Sequence, residues 1–194
     1  MKNVLIAGLG NPGKKYEKTR HNAGFALVDY FWEKFRENFG FSDWEEKKKL
    51  RSLVLIGKTE NAKIILLKPQ TFMNLSGEAV SAALKYYKIS CRGETSTDLV
   101  VVHDEIDLPL GIFRFSKDSS SAGHKGAQSV IDALGTQNFT RLRIGVDNRL
   151  ALREERDKLA PTEKYVLGKF SDTEFASLRK TLEEASTELL KHIS

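Results

Sequence analysis

The sequence has almost no cysteine and no long apolar run. Cysteine occurs once in 194 residues, at Cys91, so neither a disulfide framework nor a metal site built from CxxC pairs is possible. No signal sequence and no apolar segment long enough to span a bilayer is apparent, and we therefore expect a cytosolic protein. The motifs Gly-x-Ser-x-Gly and HExxH are also missing, which argues against a serine-hydrolase elbow and against a helical zinc site.

The remaining composition is that of an ordinary globular protein. Hydrophobic residues make up 40% and charged residues 29% of the chain, and a chain of this length buries about 70% of its unfolded surface. Because no repeat or long linker divides it, we expect one domain over residues 1–194. The 31 Lys and Arg exceed the 26 Asp and Glu, giving a net charge of +5. This excess is compatible with a polyanionic partner but does not identify one.

Strand and helix patterns alternate along the chain. The predicted strands are 3–7, 51–57, 63–67, 98–102, 111–115 and 141–146, and the predicted helices are 22–39, 123–134, 174–192 and one that begins at Ser76 as its cap. This alternation predicts an α/β fold, a three-layer sandwich with a mostly parallel central sheet and helices on both faces. A turn at Glu60-Asn61 joins two strands into a hairpin, so the sheet should be mixed. The charged segment 148–164 is the best candidate for a mobile loop or a loosely held helix.

The first strand ends in glycines with the spacing of a dinucleotide-binding motif, Gly8-Leu-Gly-Asn-Pro-Gly13. That fingerprint requires a helix that opens at the glycines, so that its amides can meet the pyrophosphate. Here the predicted helix begins near Asn22, and Asp29, where the ribose-binding acid would be expected, falls inside it. We therefore expect the glycines to form a tight loop that orients Asn11.

His21 is the best candidate for a general base, because imidazole titrates nearest neutral pH. A histidine at this position can equally be a surface residue or a helix cap. Asp104 follows an apolar strand, so its carboxylate would emerge at the strand end, where it could orient an imidazole. The alternatives for His103-Asp104-Glu105 are a solvated turn or, with Asp107, a metal site. Because no second histidine cluster accompanies the latter, we expect no metal and no cofactor.

Asn74 stands just before the helix that begins at Ser76. If Ser76 serves as the cap, the Asn74 amide is left to face a cleft. Covalent catalysis has weak support, because Cys91 has no motif partner. Water activated by a His–Asp pair, with Asn side chains as polar donors, fits the pattern better.

Taken together, these segments resemble the bacterial-type peptidyl-tRNA hydrolase family. The matching pieces follow the family order over most of the chain: Gly8-Leu-Gly-Asn-Pro-Gly13, Tyr16, Thr19-Arg-His-Asn-Ala-Gly24, Lys68-Pro69, Thr71-Phe-Met-Asn-Leu-Ser-Gly77, His103-Asp-Glu-Ile-Asp-Leu-Pro109-Leu-Gly111, Ala122-Gly-His-Lys-Gly126 and Arg141-Leu-Arg-Ile-Gly145. Each piece is weak alone, but so many in register are very hard to obtain by chance.

The resemblance implies a monomeric, metal-free enzyme that hydrolyses the ester joining a peptide to the 3′ end of tRNA and so recycles drop-off products of translation. By analogy, His21 would be the base that activates water, and Asp104 would hold and polarise its ring. The implied substrate-binding residues are Asn11, Tyr16, Met73, Asn74 and Lys125, and the implied contacts to acceptor-arm phosphates are Arg143, Arg114 and Lys117. The segment 110–126 would partly close the cleft.

The chain departs from the family pattern at two places. Many relatives have Gly-His-Asn-Gly where this chain has Gly123-His-Lys-Gly126, so Lys125 replaces an Asn often credited with positioning substrate and water. The loop after Val146 is also longer and more charged than expected. The main alternative to an ester hydrolase is a non-catalytic RNA-binding relative, since some plant organellar members of this fold serve in intron splicing. His21 and Asp104 favour the enzyme, and a nicotinamide-dependent oxidoreductase fails on the misplaced helix.

Overall fold

The computed structural model describes residues 2–90, 98–148 and 162–193. The strands in these ranges are β1 (Lys2–Gly8), β2 (Glu45–Lys47), β3 (Ser52–Lys58), β4 (Ala62–Pro69), β5 (Leu99–Pro109), β6 (Phe113–Lys117) and β7 (Thr140–Asp147). The helices are α1 (Ala23–Phe39), α2 (Ser76–Tyr86), α3 (Lys125–Leu134), α4 (Thr162–Val166) and α5 (Asp172–Ile193). Among the described residues, the strands form one sheet in the order β2-β3-β4-β1-β5-β7-β6.

The four central strands of the sheet are parallel neighbours, and antiparallel pairings lie at both sides. β4, β1, β5 and β7 run in one direction, whereas β3 and β6 run against them. The predicted mixed sheet and the hairpin, formed by β3 and β4, are therefore confirmed. Because the carboxyl ends of parallel strands meet at one edge of a sheet, the segments that follow β1 and β4 converge beside the later part of β5.

Side chains of the central strands alternate between two buried faces. Val4 and Ile6 belong to the apolar cluster that includes α1 and α5, whereas Leu5 and Ala7 belong to the cluster that includes α2 and α3. A strand buried on both faces is a continuous apolar run in the sequence, as β1 is. The predicted three-layer sandwich is confirmed.

β5 is longer than predicted. The expected end at Val102 is wrong, because the next three residues continue in register with β7, with Asp104 opposite Ile144. His103, Asp104 and Glu105 are buried inside the paired strand, so the alternative of a solvated turn is also wrong. The Asp104 carboxylate is consequently held by a strand that is paired with β7 at this position and not by a loop at the strand end.

Other boundaries differ by smaller amounts. α1 begins at Ala23, after a short 3-10 turn over Arg20–Asn22. β6 lies at Phe113–Lys117 and not at 111–115, and α3 begins at Lys125 and not at Gly123. The glycine residues at both predicted starts, 111 and 123, have positive φ angles, which are turn conformations outside a helix or strand.

The prediction that Ser76 caps α2 is wrong. Ser76 is the first helical residue and Leu75 occupies the cap position, with no side-chain cap bond. The Ser76 Oγ is buried and makes no hydrogen bond to any described residue. Capping therefore does not explain why Asn74 faces the cleft. Asn74 instead belongs to a second 3-10 turn, Met73–Leu75.

Two sequence predictions cannot be compared with the fold. Cys91 and residues 149–161 of the charged segment 148–164 lie outside the described residues. Within the described residues, none of the helices combines the length and apolar character that a bilayer crossing requires.

Candidate active site

A cleft of about 1010 Å³ lies at the carboxyl edge of the central strands. The turn that precedes α1, the turn that precedes α2 and the first residues of α3 all contribute to its lining, so three helices begin beside it. The N-terminus of a helix carries partial positive charge, which favours negative charge nearby. All the residues predicted to be catalytic or substrate-binding line this cleft: Asn11, Tyr16, His21, Met73, Asn74, Asp104 and Lys125.

His21 and Asp104 form the hydrogen-bonded pair that the sequence suggested. The Nδ1 of His21 lies 2.9 Å from Oδ1 and 3.0 Å from Oδ2 of Asp104. Because an ionised carboxylate only accepts hydrogen bonds, Nδ1 carries a proton, and in the neutral ring Nε2 keeps its lone pair. Both side chains are buried, with Asp104 exposing 2% and His21 11% of its surface. The geometry therefore presents a basic imidazole nitrogen whose ring orientation is fixed from behind.

His124 is a third member of this group, and the sequence analysis assigned it no role. Its Nε2 lies 2.8 Å from Oδ1 of Asp104. Its Nδ1 accepts hydrogen bonds from the backbone N–H groups of Gly126 and Ala127, each at 3.1 Å, and so caps α3. The signal for it in the sequence is the motif Ala122-Gly-His-Lys-Gly126, which by itself does not distinguish this histidine from an ordinary loop residue.

The charge on Asp104 is stabilised by its two imidazole partners. Burial favours the neutral acid and acts to raise the pKa of Asp104. The charges and hydrogen bonds of His124 and His21 outweigh burial, so the pKa of Asp104 lies well below its ordinary value. The pKa of His103 is also lowered, here because burial disfavours the charged ring, and His103 is therefore neutral. Asp104 is thus a buried carboxylate that stays ionised at neutral pH.

Among the described residues, His21, Asp104 and His124 are also the group whose ligand atoms lie close enough together to hold a metal ion. The hydrogen bonds of His124 do not fit that use. Its Nδ1 must keep a lone pair for two N–H donors, so in the neutral ring the proton sits on Nε2, the atom that a metal would need. The predicted alternative set of His103, Asp104 and Asp107 is not grouped in this way.

Asn11 is fixed by a second asparagine that sequence reasoning missed. Asn22 accepts a hydrogen bond from the backbone N–H of Asn11 at 2.8 Å and donates to its carbonyl at 3.0 Å. The Oδ1 of Asn11 accepts from the backbone N–H of Met73 at 2.9 Å. Because Oδ1 is engaged, the Nδ2 group is the part of Asn11 that can donate to a ligand in the cleft.

Met73 and Tyr16 supply apolar surface to the cleft. Met73 is buried, and its sulfur occupies the space that a Cβ on Gly126 would need, so a larger residue at 126 would force the Met73 side chain to move. The Tyr16 ring lies edge-on to Phe72, with the ring centres 6.4 Å apart. Phe72 is 55% exposed. Apolar and aromatic surface therefore flanks the polar pair.

Asn74 and Lys125 are the exposed members of the predicted set that lines the cleft. The Nζ of Lys125 lies 2.8 Å from Oε1 of Glu163, which belongs to α4. This ion pair lowers the pKa of Glu163 through its hydrogen bond and its charge. Lys125 thus contacts the opposite wall of the cleft, an arrangement that the sequence did not predict.

The three cations predicted to contact phosphates occupy different places. Arg143 lies opposite Arg114 on neighbouring strands, and its Nε is 2.9 Å from the buried Glu105, which lines the cleft. Arg114 is exposed. Lys117 lies at the other end of β6, opposite Thr140, roughly 10 Å further along the strand than Arg114. The structure brings Arg143 and Arg114 together near the cleft and leaves Lys117 away from it.

Comparisons with known proteins point to one family. A model of the peptidyl-tRNA hydrolase family matches residues 5–194. The peptidyl-tRNA hydrolase of Brevibacillus brevis is 42% identical over 182 residues, which cover 94% of this chain and 87% of that protein. The enzyme of the same name from Staphylococcus saprophyticus is 38% identical, with 97% and 90% covered.

A solved structure agrees in the same way. The crystal structure of peptidyl-tRNA hydrolase from Acinetobacter baumannii matches with a TM-score of 0.80 and 30% identity, covering 96% of this chain and 86% of that one. The family match extends across nearly the whole chain, and the likeness holds in both sequence and fold. The chain therefore belongs to the peptidyl-tRNA hydrolase family.

Proposed function

We propose that this chain hydrolyses the ester between a peptide and the 3′ end of tRNA by direct attack of water, with His21 as the general base. The observation that carries this mechanism is the pair of short contacts between His21 Nδ1 and the Asp104 carboxylate. They direct the lone pair of Nε2 away from Asp104. Among the described residues that line the cleft there is neither a serine nor a cysteine, so water is the nucleophile that the site favours.

The proton transfers follow from this geometry. His21 Nε2 takes a proton from water as the water oxygen bonds to the ester carbonyl carbon, and a tetrahedral oxyanion forms. The bond from that carbon to the ribose oxygen then breaks, and the imidazolium returns the proton to the leaving oxygen. Asp104 stays ionised throughout and stabilises the imidazolium, in the same way as the carboxylate of a catalytic triad.

Two asparagines position the substrate. The Nδ2 group of Asn11 donates to a carbonyl of the peptide, because its Oδ1 is already bonded to Met73. Asn74 lies on the same cleft and contributes a second amide toward the ester. Met73 and Tyr16 contact the apolar parts of the peptide. Fixed donors of this kind lower the barrier when they face the oxygen on which charge develops.

The tRNA is held through its phosphates. Arg143 and Arg114 form a pair of cations beside the cleft, and Lys117 extends the same strand toward more distant phosphates. Such contacts carry no sequence readout, which suits an enzyme that accepts many tRNAs. We further propose that residues 1–194 act as one domain, as a cytoplasmic monomer, without a cofactor or metal.

Release of the blocked amino acid from N-acetyl-aminoacyl-tRNA tests this function. Wild type should release it, and His21→Ala should lower the rate by at least about a hundredfold with little loss of tRNA binding. His192→Ala is the matched control, because His192 lies on α5 beside Thr140, away from the cleft. Binding of tRNA without release by wild type would instead indicate the non-catalytic RNA-binding relative, and near-normal turnover in His21→Ala would overturn the mechanism.

A further inference from the structure

The residue before the proposed base, Arg20, is a buried arginine that bonds to an acid and a backbone carbonyl and lies over two aromatic rings. Its Nη2 lies 2.7 Å from Oε1 of Glu174, and these two side chains are only 10% and 12% exposed. Its Nη1 donates to the carbonyl of Lys169 at 3.0 Å. The guanidinium also lies over two aromatic rings, 4.4 Å from the centre of Tyr165 and 5.2 Å from that of Phe170.

These partners belong to a separate part of the chain: the end of α4, the connection after it and the start of α5. Backbone hydrogen bonds also join the turn around Arg20 to this part of the chain. The Arg20 N–H donates to the carbonyl of Gly168 and the Phe170 N–H donates to the carbonyl of Lys18, each at 3.0 Å. Glu174 also accepts from the backbone N–H of Ser171 at 2.7 Å. The segment 168–174 is therefore fastened to the turn that contains His21.

The network also reaches the end of β7. The hydroxyl of Tyr165 donates to Oδ1 of Asn148 at 2.8 Å and accepts from the Asn148 backbone N–H at 3.1 Å. Asn148 Nδ2 in turn donates to Glu174. Arg20 thus lies where β7, α4 and α5 meet the turn before α1.

Each residue of this turn is fixed by a different part of the fold. His21 bonds to Asp104 on β5, Asn22 bonds to the backbone of Asn11, and Arg20 bonds to Lys169 and Glu174. Two of the three contacts support groups with a proposed role in the reaction. Arg20 also lies over the ring of Tyr165 on α4, whose residues Glu163 and Val166 line the cleft.

We propose that Arg20 is a positioning residue, which holds the His21 ring against Asp104 and sets the α4 wall of the cleft in the geometry that the reaction requires. This inference rests on the proposed role of His21. A guanidinium is suited to the task, because its planar fork bonds two acceptors while its faces stack on aromatic rings. Lysine keeps the charge but lacks both the fork and the flat face, so Arg20→Lys is not a conservative change here.

The test compares Arg20→Lys, Glu174→Gln and Tyr165→Phe with wild type. We expect Arg20→Lys to lower kcat by about tenfold to a hundredfold, as small misplacements of a catalytic group do, while KM changes less than about threefold. Glu174→Gln and Tyr165→Phe should lower kcat in the same direction by smaller factors. Arg51→Lys is the matched control, since Arg51 pairs with Glu78 on an exposed surface, and its kcat should stay at the wild-type value.

A second readout does not depend on turnover. The hydrogen-bonded Nδ1–H proton of His21 gives an NMR signal in ¹⁵N-histidine-labelled protein, identified by its loss in His21→Ala. Arg20→Lys should broaden or shift this signal, whereas Arg51→Lys should not.

If Arg20→Lys lowers Tm but leaves both kcat and the imidazole signal unchanged, Arg20 only stabilises the fold and the proposal is wrong. If Arg20→Lys does not fold, the same two readouts on Glu174→Gln and Tyr165→Phe decide. Failure of wild type to cleave its ester would sink the proposed function and leave the NMR comparison intact.

Discussion

The Nε2–H of His124 and the Nδ1–H of His21 donate to the same oxygen of Asp104, at 2.8 and 2.9 Å. One buried carboxylate therefore orients two imidazoles, and their rings lie 4.9 Å apart. Because His124 also accepts two backbone N–H bonds at the start of α3, it connects the position of that helix to the position of Asp104. The residue has two separable roles, capping a helix and holding the carboxylate.

Two substitutions of His124 separate those roles. His124→Ala removes both, and we expect kcat to fall about tenfold and the free energy of unfolding to fall by about 1 kcal/mol through the lost cap. His124→Asn restores a good capping side chain, which is too short to reach Asp104 as well. Its stability should return toward wild type while kcat stays low. Denaturant titration and steady-state kinetics measure the two quantities, and wild-type kcat in His124→Asn would show that the Asp104 contact is unimportant.

Hydrolysis should not depend on a transition metal. The Nδ1 of His124 accepts two backbone N–H bonds, so its Nε2 carries a proton toward Asp104, and the cluster of His21, Asp104 and His124 is better suited to hydrogen bonding than to metal binding. We expect 1,10-phenanthroline, which binds zinc and leaves Mg²⁺ to the tRNA, to leave the rate unchanged. If 1,10-phenanthroline inhibits the enzyme, and added zinc restores activity while added Mg²⁺ does not, the cluster binds a metal and this expectation is wrong.

The sequence was informative where a pattern is local. Apolar runs identified β1 and β7. The predicted start of the first helix was enough to reject the dinucleotide motif, and α1 does begin at Ala23, well after the glycines. His21 and Asp104 could be paired because a base needs an orienting acid and each follows a strand or precedes a helix at one edge of the sheet.

Features that depend on distant pairing were missed. β5 continues through polar residues because β7 pairs with them, and no local propensity reports a partner so far along the chain. His124 looks like an ordinary loop histidine until the fold brings it to Asp104. The sequence pattern predicts Asn22 as the first residue of a helix, yet its side chain bonds to the backbone of Asn11. In each case tertiary contacts and not periodicity decide what the residue does.

Arg143 is paired with Glu105, so a test must separate binding of RNA phosphates by Arg143 from simple neutralisation of Glu105. Arg143→Ala should weaken binding by a similar factor for different tRNAs and lower the log–log salt slope by about one. Arg36→Ala removes the same charge near the far end of α1 and should leave the slope unchanged. Fluorescence anisotropy at several salt concentrations measures both.

The partner of Arg143 provides the opposing case. Glu105→Gln removes the acid that lies 2.9 Å from the guanidinium, which should leave Arg143 more available to phosphate and strengthen binding. If instead Arg143 serves only to neutralise Glu105, neither variant will change the salt slope, and Arg143 will have to be removed from the proposed RNA surface.

Lys125 is the position at which this chain departs from the common family motif, and its ion pair with Glu163 sharpens what to expect. A lysine has three donors and no acceptor, so it cannot accept a hydrogen bond from water as asparagine can. Exposed ion pairs contribute little to stability, and both side chains here are more than half exposed. We expect Lys125→Asn to stay active within about tenfold and Lys125→Glu to raise KM by repelling the tRNA.

A charge swap then distinguishes a contact with substrate from a contact between the walls of the cleft. The double variant Lys125→Glu, Glu163→Lys restores an ion pair between α3 and α4 but leaves an acid at the start of α3. If Lys125 attracts the substrate, KM stays raised in the swap, whereas if the pair only holds α4 in place, the swap returns KM to the wild-type value. Glu163→Gln completes the cycle, because it frees Lys125 and should lower KM only in the first case. Wild-type binding and cleavage by Lys125→Glu alone would mean that Lys125 is a solvated lysine and not a site residue.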